Sequence, residues 1–411
     1  MLTVRGAELV WTGTREIERG EVHVGTDGLV VATPEPAAEN LDATGCIVTP
    51  GLVNAHHHLM QSLFRTLPGT RGVPMREWLP TMAAAYTAAG VDAELCHRAA
   101  RVGLTESVLC GVTTVADHHL TWPAGLPDAG VGIATAVADA ADAVGARLVF
   151  VRGSARDDPQ EAAASAEAIA VALRGRCQVA VGPAGVHSDA PETFALLGEV
   201  AARHGLRRRT QANEQVDVEV AAQRYGRRPL ELLDEWGWLA DDVTLAHLCA
   251  ITDEERARLA ATGVSATHAP GCDLPMGWGI APVAALTDDG VGVGLGTSGG
   301  GSNDAGHLLA DARLAMQVAP LAGRALTARE VLGFATAGGA AGLGRPDLGH
   351  LDPGAAGDLV CWDVSGPADE GVHDRLAGLL WANPGRRPRH VVVGGRVVVR
   401  DYVAREQERS L

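Results

Sequence analysis

The chain has 411 residues, 46% of them hydrophobic and 20% charged, which is enough apolar material for a large core, and its formal net charge is −16. That charge argues against nucleic acid or an anionic membrane as a partner, because either needs a basic face. The one basic run, Arg207 to Arg209, is too short to supply it. No residue is lysine, so a lysine Schiff base, a lysine general base and a carbamylated lysine bridging metals are all excluded.

In chain order, the first 47 residues read as short strands between Gly, Asp and Pro turns: LTVRGAELV, GEVHVGTDGLVVA and GCIVTP. GLVNAHHHLMQ follows, an apolar run ending in three histidines. From there the chain alternates. Alanine-rich helical stretches (VDAELCHRAARVGLTESVLC, PQEAAASAEAIAVALRG, PETFALLGEVAARHG, TDEERARLAATG) separate short β-rich runs (TTVAD, ARLVFVRG, QVAVGP, LRRRTQANE, VTLAHL, VSATHAP, VGVGLGTS). The end returns to strands, AGDLVCWDV and HVVVGGRVVVRD, the latter with a hairpin turn at VGGR. Seven or eight βα units over roughly 300 residues predict an α/β fold, a (β/α)8 TIM barrel. The two terminal strand clusters predict a small β-sandwich built by both chain ends. The boundaries expected are 1–48 for its first part, 49–346 for the barrel and 347–411 for its second part. The seven scattered cysteines, with no C-x-x-C pair, read as reduced thiols of a cytoplasmic protein. The N-terminus has no signal-peptide pattern, and no run is long and apolar enough to span a membrane.

His56 and His58 stand at i and i+2, on one face of a strand, a common way to present two imidazoles to one metal. The surrounding stretches resemble the amidohydrolase superfamily, in its branch of cytosine-, guanine- and 8-oxoguanine-deaminase-like enzymes and triazine hydrolases. The resemblance runs through VTPGLVNAHHHLMQ, REWL, GLTESVLCGVTTVADHH, LAHLCAITDEE, THAPGCDLPMGWGIAPV, VGVGLGTSGGGSNDAGHLL and the terminal AAGDLVCWDV and VVVGGRVVV. It implies one Zn²⁺ or Fe²⁺ held by H-x-H, a histidine ending the fifth strand and an aspartate ending the eighth. It also implies a proton-shuttling glutamate three residues after that histidine and a sixth-strand histidine beside the metal-bound water. His56 and His58 match the H-x-H pair, Glu214 matches the shuttle and His247 the sixth-strand histidine. The other two ligand positions hold Gln211 and Ser298.

Gln211 and Ser298 are weak donors for Zn²⁺, so the metal is expected to be weakly held or absent. Two routes to a rebuilt site stay open. His247 can join His56 and His58 as a third ligand, or His118, His119, His187 and His268 can assemble a displaced one. The catalytic set expected is Glu214, His247, Ser298 and Gln211. Gln61, Trp78, Trp122, His187 and His268 are expected to bind substrate. Trp78 and Trp122 read equally well as fillers of the barrel mouth, and His118, His119, His187 and His268, each taken alone, read as hydrogen-bonding pocket residues ahead of metal ligands. The resemblance implies an enzyme that deaminates or hydrolyses a C–N bond of a small nitrogen heterocycle and is a homo-oligomer. The ligand losses keep open a metal-independent lyase, isomerase, cyclase or hydrolase of bacterial specialised metabolism, and a non-catalytic binding protein.

Overall fold

The computed structural model describes residues 1–34, 39–123 and 129–405. Its centre is a parallel barrel. The strands are β1 (Leu52–His58), β2 (Val112–His119), β3 (Arg147–Ser154), β4 (Gln178–Pro183), β5 (Arg207–Ala212), β6 (Val243–His247), β7 (Ser265–His268) and β8 (Val293–Leu295), each hydrogen-bonded to the next. Closure comes from the eighth strand. It breaks at Gly296 and Thr297 and resumes as Ser298–Gly299, which pairs in parallel with His57 and His58 of β1. Gly296 lies so close to β1 that a Cβ there would sit 2.7 Å from the Cβ of His56.

The strands are buried on both faces, as a parallel barrel wrapped in helices requires. Phe150, Val181, Phe194 and Trp238 lie within the main apolar core. A separate cluster, Val53, Ala116, Val149, Val151 and Ala180 with Ala340 and Leu343, fills the barrel near the strand starts. The helices that cover the outside carry local start and stop signals. Asp92 caps Ala93–Leu109 by accepting from the Leu95 amide at 2.8 Å. Thr252 and Glu255 form a capping box on Asp253–Thr262, and Gly263, at φ 74°, ends it.

Both chain ends build the flanking sheets. One has four strands, all from residues before 43. The other has seven: Glu16–Glu18, Leu9–Trp11 and Cys46–Pro50 from the N-terminal end, then Leu359–Asp363, Pro388–Val393, Arg396–Arg400 and Val403–Ala404. Its centre is the antiparallel pair Cys46–Pro50 and Leu359–Asp363. The VGGR hairpin forms with Gly394 at φ 54° and Gly395 at φ 75°, the left-handed pair that a two-residue hairpin loop needs. No described helix is long and apolar enough to cross a membrane.

Candidate active site at the barrel mouth

Chemistry-bearing side chains collect at the C-terminal ends of the strands, where barrels of this kind carry their sites. β1 ends in His56, His57 and His58. Hydrogen bonds sort the three. His57 Nδ1 is paired with the carbonyl of Ser298 across the closing strand, so this ring belongs to the barrel seam. His58 Nδ1 donates to the carbonyl of His118 at 2.7 Å. His56 Nε2 is buried with no hydrogen-bond partner. The rings of His56 and His58 are 4.8 Å apart, His247 is 5.2 Å from His56, and His118 is 5.9 Å from both His56 and His58. Four imidazoles from β1, β2 and β6 therefore share one buried space.

Opposite them stands Glu214. It follows β5 as the residue just before helix Gln215–Tyr225, on a turn fixed by Asn213 at φ 54°. The Asp217 carboxylate accepts from the Asn213 amide at 3.0 Å, and Asn213 Nδ2 donates to Glu255 at 2.9 Å. Both Glu214 oxygens are buried without a hydrogen-bond partner, and Oε1 lies 3.6 Å from His247 Nε2. Burial raises its pKa above the ordinary glutamate value, against the opposing pull of His247 and His187.

His247 is gripped from both sides. Its Nδ1 is 2.6 Å from Asp273 Oδ1, and its Nε2 is 3.1 Å from Gln211 Oε1. Burial alone would lower its pKa, but Asp273 and then Glu214 carry it above the ordinary histidine value. Asp273, also fully buried, is driven down to about 2 by His247 and His268 despite its desolvation. Trp278 meets the His247 ring edge-on at 5.0 Å. The backbone is strained at the same places. Asn213, His247, Leu248 and Ser298 hold φ between 54° and 76°, and such non-glycine strain concentrates at functional sites.

The other residues expected from the sequence divide by location. His187 sits beside Glu214, with Nδ1 3.2 Å from Asp217 Oδ1, and this partner lifts its pKa against burial. His268 Nδ1 is 3.7 Å from Asp273 Oδ2, and neither ring nitrogen is hydrogen-bonded. Ser298 gives its carbonyl to His57 across the seam. Gln61 accepts from the Gly301 amide at 3.1 Å, and Trp78 donates from Nε1 to the Gly301 carbonyl at 3.0 Å, so both serve to fix the glycine-rich loop. Trp122 donates to the Gly153 carbonyl at 2.8 Å and lies under the Arg152 guanidinium, outside the histidine cluster. His119 packs against Trp122 and Phe150, with Nε2 bonded to the Thr121 carbonyl at 2.9 Å. A cavity of about 400 Å³ lies above the site, lined by Met75, Arg76, Val216, Glu219, Met276 and Trp278 among others. Trp278 joins it to His247.

Two participants escape a reading of motifs. Asp273 is separated from His247 by 26 positions. Arg209 points into the barrel from β5, fully buried, and donates to the carbonyl of Ala55, one residue before His56. Period-two alternation along β5, which puts Arg209 on the same face as Gln211, is the signal that could have found it. Only one trio of histidine, cysteine or carboxylate donor atoms among the described residues lies within 4.8 Å of one another: His247, Cys272 and Asp273. His56 and His58 belong to no such trio.

The barrel and the acid–base groups at its mouth define a hydrolase of small molecules. The amidohydrolase family model matches residues 47–398, and the chain belongs to that family. The 8-oxoguanine deaminase of Pseudomonas aeruginosa is 35% identical over 383 residues, 88% of this chain and 84% of that protein. The 5-methylthioadenosine/S-adenosylhomocysteine deaminase of Natronomonas pharaonis is 34% identical over 421 residues, 98% of this chain and 91% of that protein. Among solved structures, an atrazine chlorohydrolase from Arthrobacter aurescens complexed with zinc superposes with a TM-score of 0.89 at 34% identity, covering 98% of this chain and 96% of that one. The family membership makes this chain an enzyme of the hydrolase class that acts on C–N bonds other than peptide bonds.

Proposed function

We propose that the chain hydrolyses a C–N bond of a small nitrogen heterocycle, by deamination or ring-substituent hydrolysis, with Glu214 as the group that moves protons. The observation that carries this reading is Glu214 itself: a fully buried carboxyl group with two unbonded oxygens, flanked by His247 and His187, on a strained turn facing the histidine cluster. A buried carboxyl group with nothing to bind is costly, and a substrate and water supply what is missing.

In the proposed reaction, ionised Glu214 takes a proton from water as the oxygen attacks the ring carbon. It then gives that proton to the departing nitrogen, so water and a C–N substrate become a C–O product and an amine or ammonia. His247, held by Asp273, is the charged partner of the developing oxyanion. Gln211 holds the other edge of His247, and Ser298 anchors the seam behind His57. His187 and His268 remain as residues that line the substrate space.

The donor set does not fit the zinc of the solved relative. Gln211 Oε1 is already engaged by His247, Ser298 brings no carboxylate, and the two H-x-H rings lack a third donor at ligand distance among the described residues. No step of the proposed reaction therefore depends on a metal. The same proposal includes the division at 1–48, 49–346 and 347–411, a homo-oligomeric state and a cytoplasmic location.

The reaction class is tested by offering amino-substituted purines, pterins, pyrimidines and triazines in H₂¹⁸O. Hydrolysis predicts ammonia or amine release with one ¹⁸O in the ring product. Turnover without ¹⁸O uptake would replace this reading with the lyase, isomerase or cyclase one.

A further inference from the structure

Among the described residues, Arg209 is the guanidinium inside the barrel that has no carboxylate. Its terminal Nη2 donates to the Ala55 carbonyl, and its Nε and Nη1 are buried with no partner at all. The two neighbours in the same run are spent differently. Arg208 faces outward, forms a two-bond pair with Asp242 and stacks on Trp238. Arg207 reaches the Gly342 carbonyl near the strand starts. Arg209 alone of the three crosses from β5 to β1, directly opposite in an eight-stranded barrel, and ends against the residue before His56. A guanidinium is always charged at neutral pH, so the floor under His56 and His58 carries a fixed positive charge.

At the same mouth, the expected carboxylate ligand is replaced by Ser298 and the expected imidazole ligand by Gln211. The Asp273 carboxylate is committed to His247. Ser298, Gln211 and Arg209 all act in one direction. A divalent cation here would lose its anionic ligand, lose a strong neutral donor and face a like charge with no carboxylate paired to it.

We propose that this barrel has exchanged its resident divalent metal for a side-chain cation, Arg209, and holds no catalytic metal. This inference rests on placing the active site at the His56 and His58 end of the barrel. Its test reads metal directly, so it stands or falls separately from the choice of substrate and from the hydrolytic reading.

Elemental mass spectrometry of the untagged full chain, before and after incubation with Zn²⁺ and dialysis, should give well under one-tenth of a metal ion per chain. About one ion per chain in either sample would overturn the proposal. The role of Arg209 is read by building ligands back. Q211H/S298D should hold zinc at least ten times more weakly, by competition with a chelator, than the same pair with R209M added. R209K, which keeps the charge, should behave like Arg209. Equal zinc affinity with and without Arg209 would show that the guanidinium is not what excludes the metal. If the combined variants do not fold, the metal content of the unmodified chain alone decides whether the barrel holds a metal.

Discussion

At the residue scale, the centre of the site is a line of three side chains, Asp273, His247 and Glu214. Asp273 fixes the His247 ring through Nδ1, so Nε2 must face Gln211 and Glu214. Asp273→Asn should keep substrate binding, with KM nearly unchanged, and lower kcat by about 10²-fold or more, the scale of a misplaced acid–base group. A merely structural role would lower thermal stability without separating kcat from KM. The pH profile has a definite sign. Glu214 works as a base only when ionised, and burial raises its pKa above the usual 4.5. Activity should therefore fall on acidification with a midpoint above 4.5, and a midpoint at or below it would mean that Glu214 is not the group titrating.

At the scale of elements, the loops that carry these residues are held by buried carboxyl groups. Asp311, on helix Leu308–Val318, accepts from the Gly271 amide at 2.8 Å and from Asn303 Nδ2 at 3.1 Å, which ties the helix bearing Cys272 and Asp273 to the loop after Ser298. Burial pushes its pKa from 3.8 to about 7. Because the folded value is the higher one, its stabilising contribution is complete below the unfolded pKa and is lost as pH rises through about 7. That displacement corresponds to about 4 kcal/mol. Asp311→Asn cannot ionise, so its melting temperature should gain on that of the unmodified chain between about pH 4 and 7 and run parallel to it above. A difference independent of pH would show that Asp311 is not held neutral.

On the scale of the whole molecule, the terminal sheets and the barrel are joined through Trp362. This residue is fully buried on Leu359–Asp363, and its indole donates to Thr49 Oγ1 at 2.9 Å. Its ring fills the space above Gly111, where a Cβ would lie 2.4 Å from it, immediately before β2 begins. Trp362→Ala should cost about 3–5 kcal/mol, visible as a lower melting temperature with the transition still single. Two separate transitions would mean that the sheets and the barrel unfold independently.

Over the whole chain, legibility follows the range of the interactions. Strand runs such as QVAVGP and helices such as PETFALLGEVAARHG are legible in the sequence because periodicity and capping are local. Glu214, His247, His56 and His58 are legible because they stand at strand ends in a known pattern. Asp273 and Arg209 are not, because their importance lies in partners 26 and 154 positions away. Gln61, Trp78 and Trp122 are expected from the sequence as substrate contacts, and the bonds of their polar atoms to glycines of neighbouring loops are a further feature that local pattern does not carry.

The most direct measurement is the turnover of Glu214→Gln on whichever amino-heterocycle the unmodified chain converts, with both proteins confirmed as folded. The amide keeps the shape and removes the proton-accepting carboxylate. Turnover should fall by about 10²- to 10⁴-fold, the contribution of a positioned acid–base group, with substrate binding retained. Turnover within tenfold of the unmodified chain would contradict the placement of the active site at Glu214, and with it the assignment of the barrel mouth as the place where the C–N bond is cut.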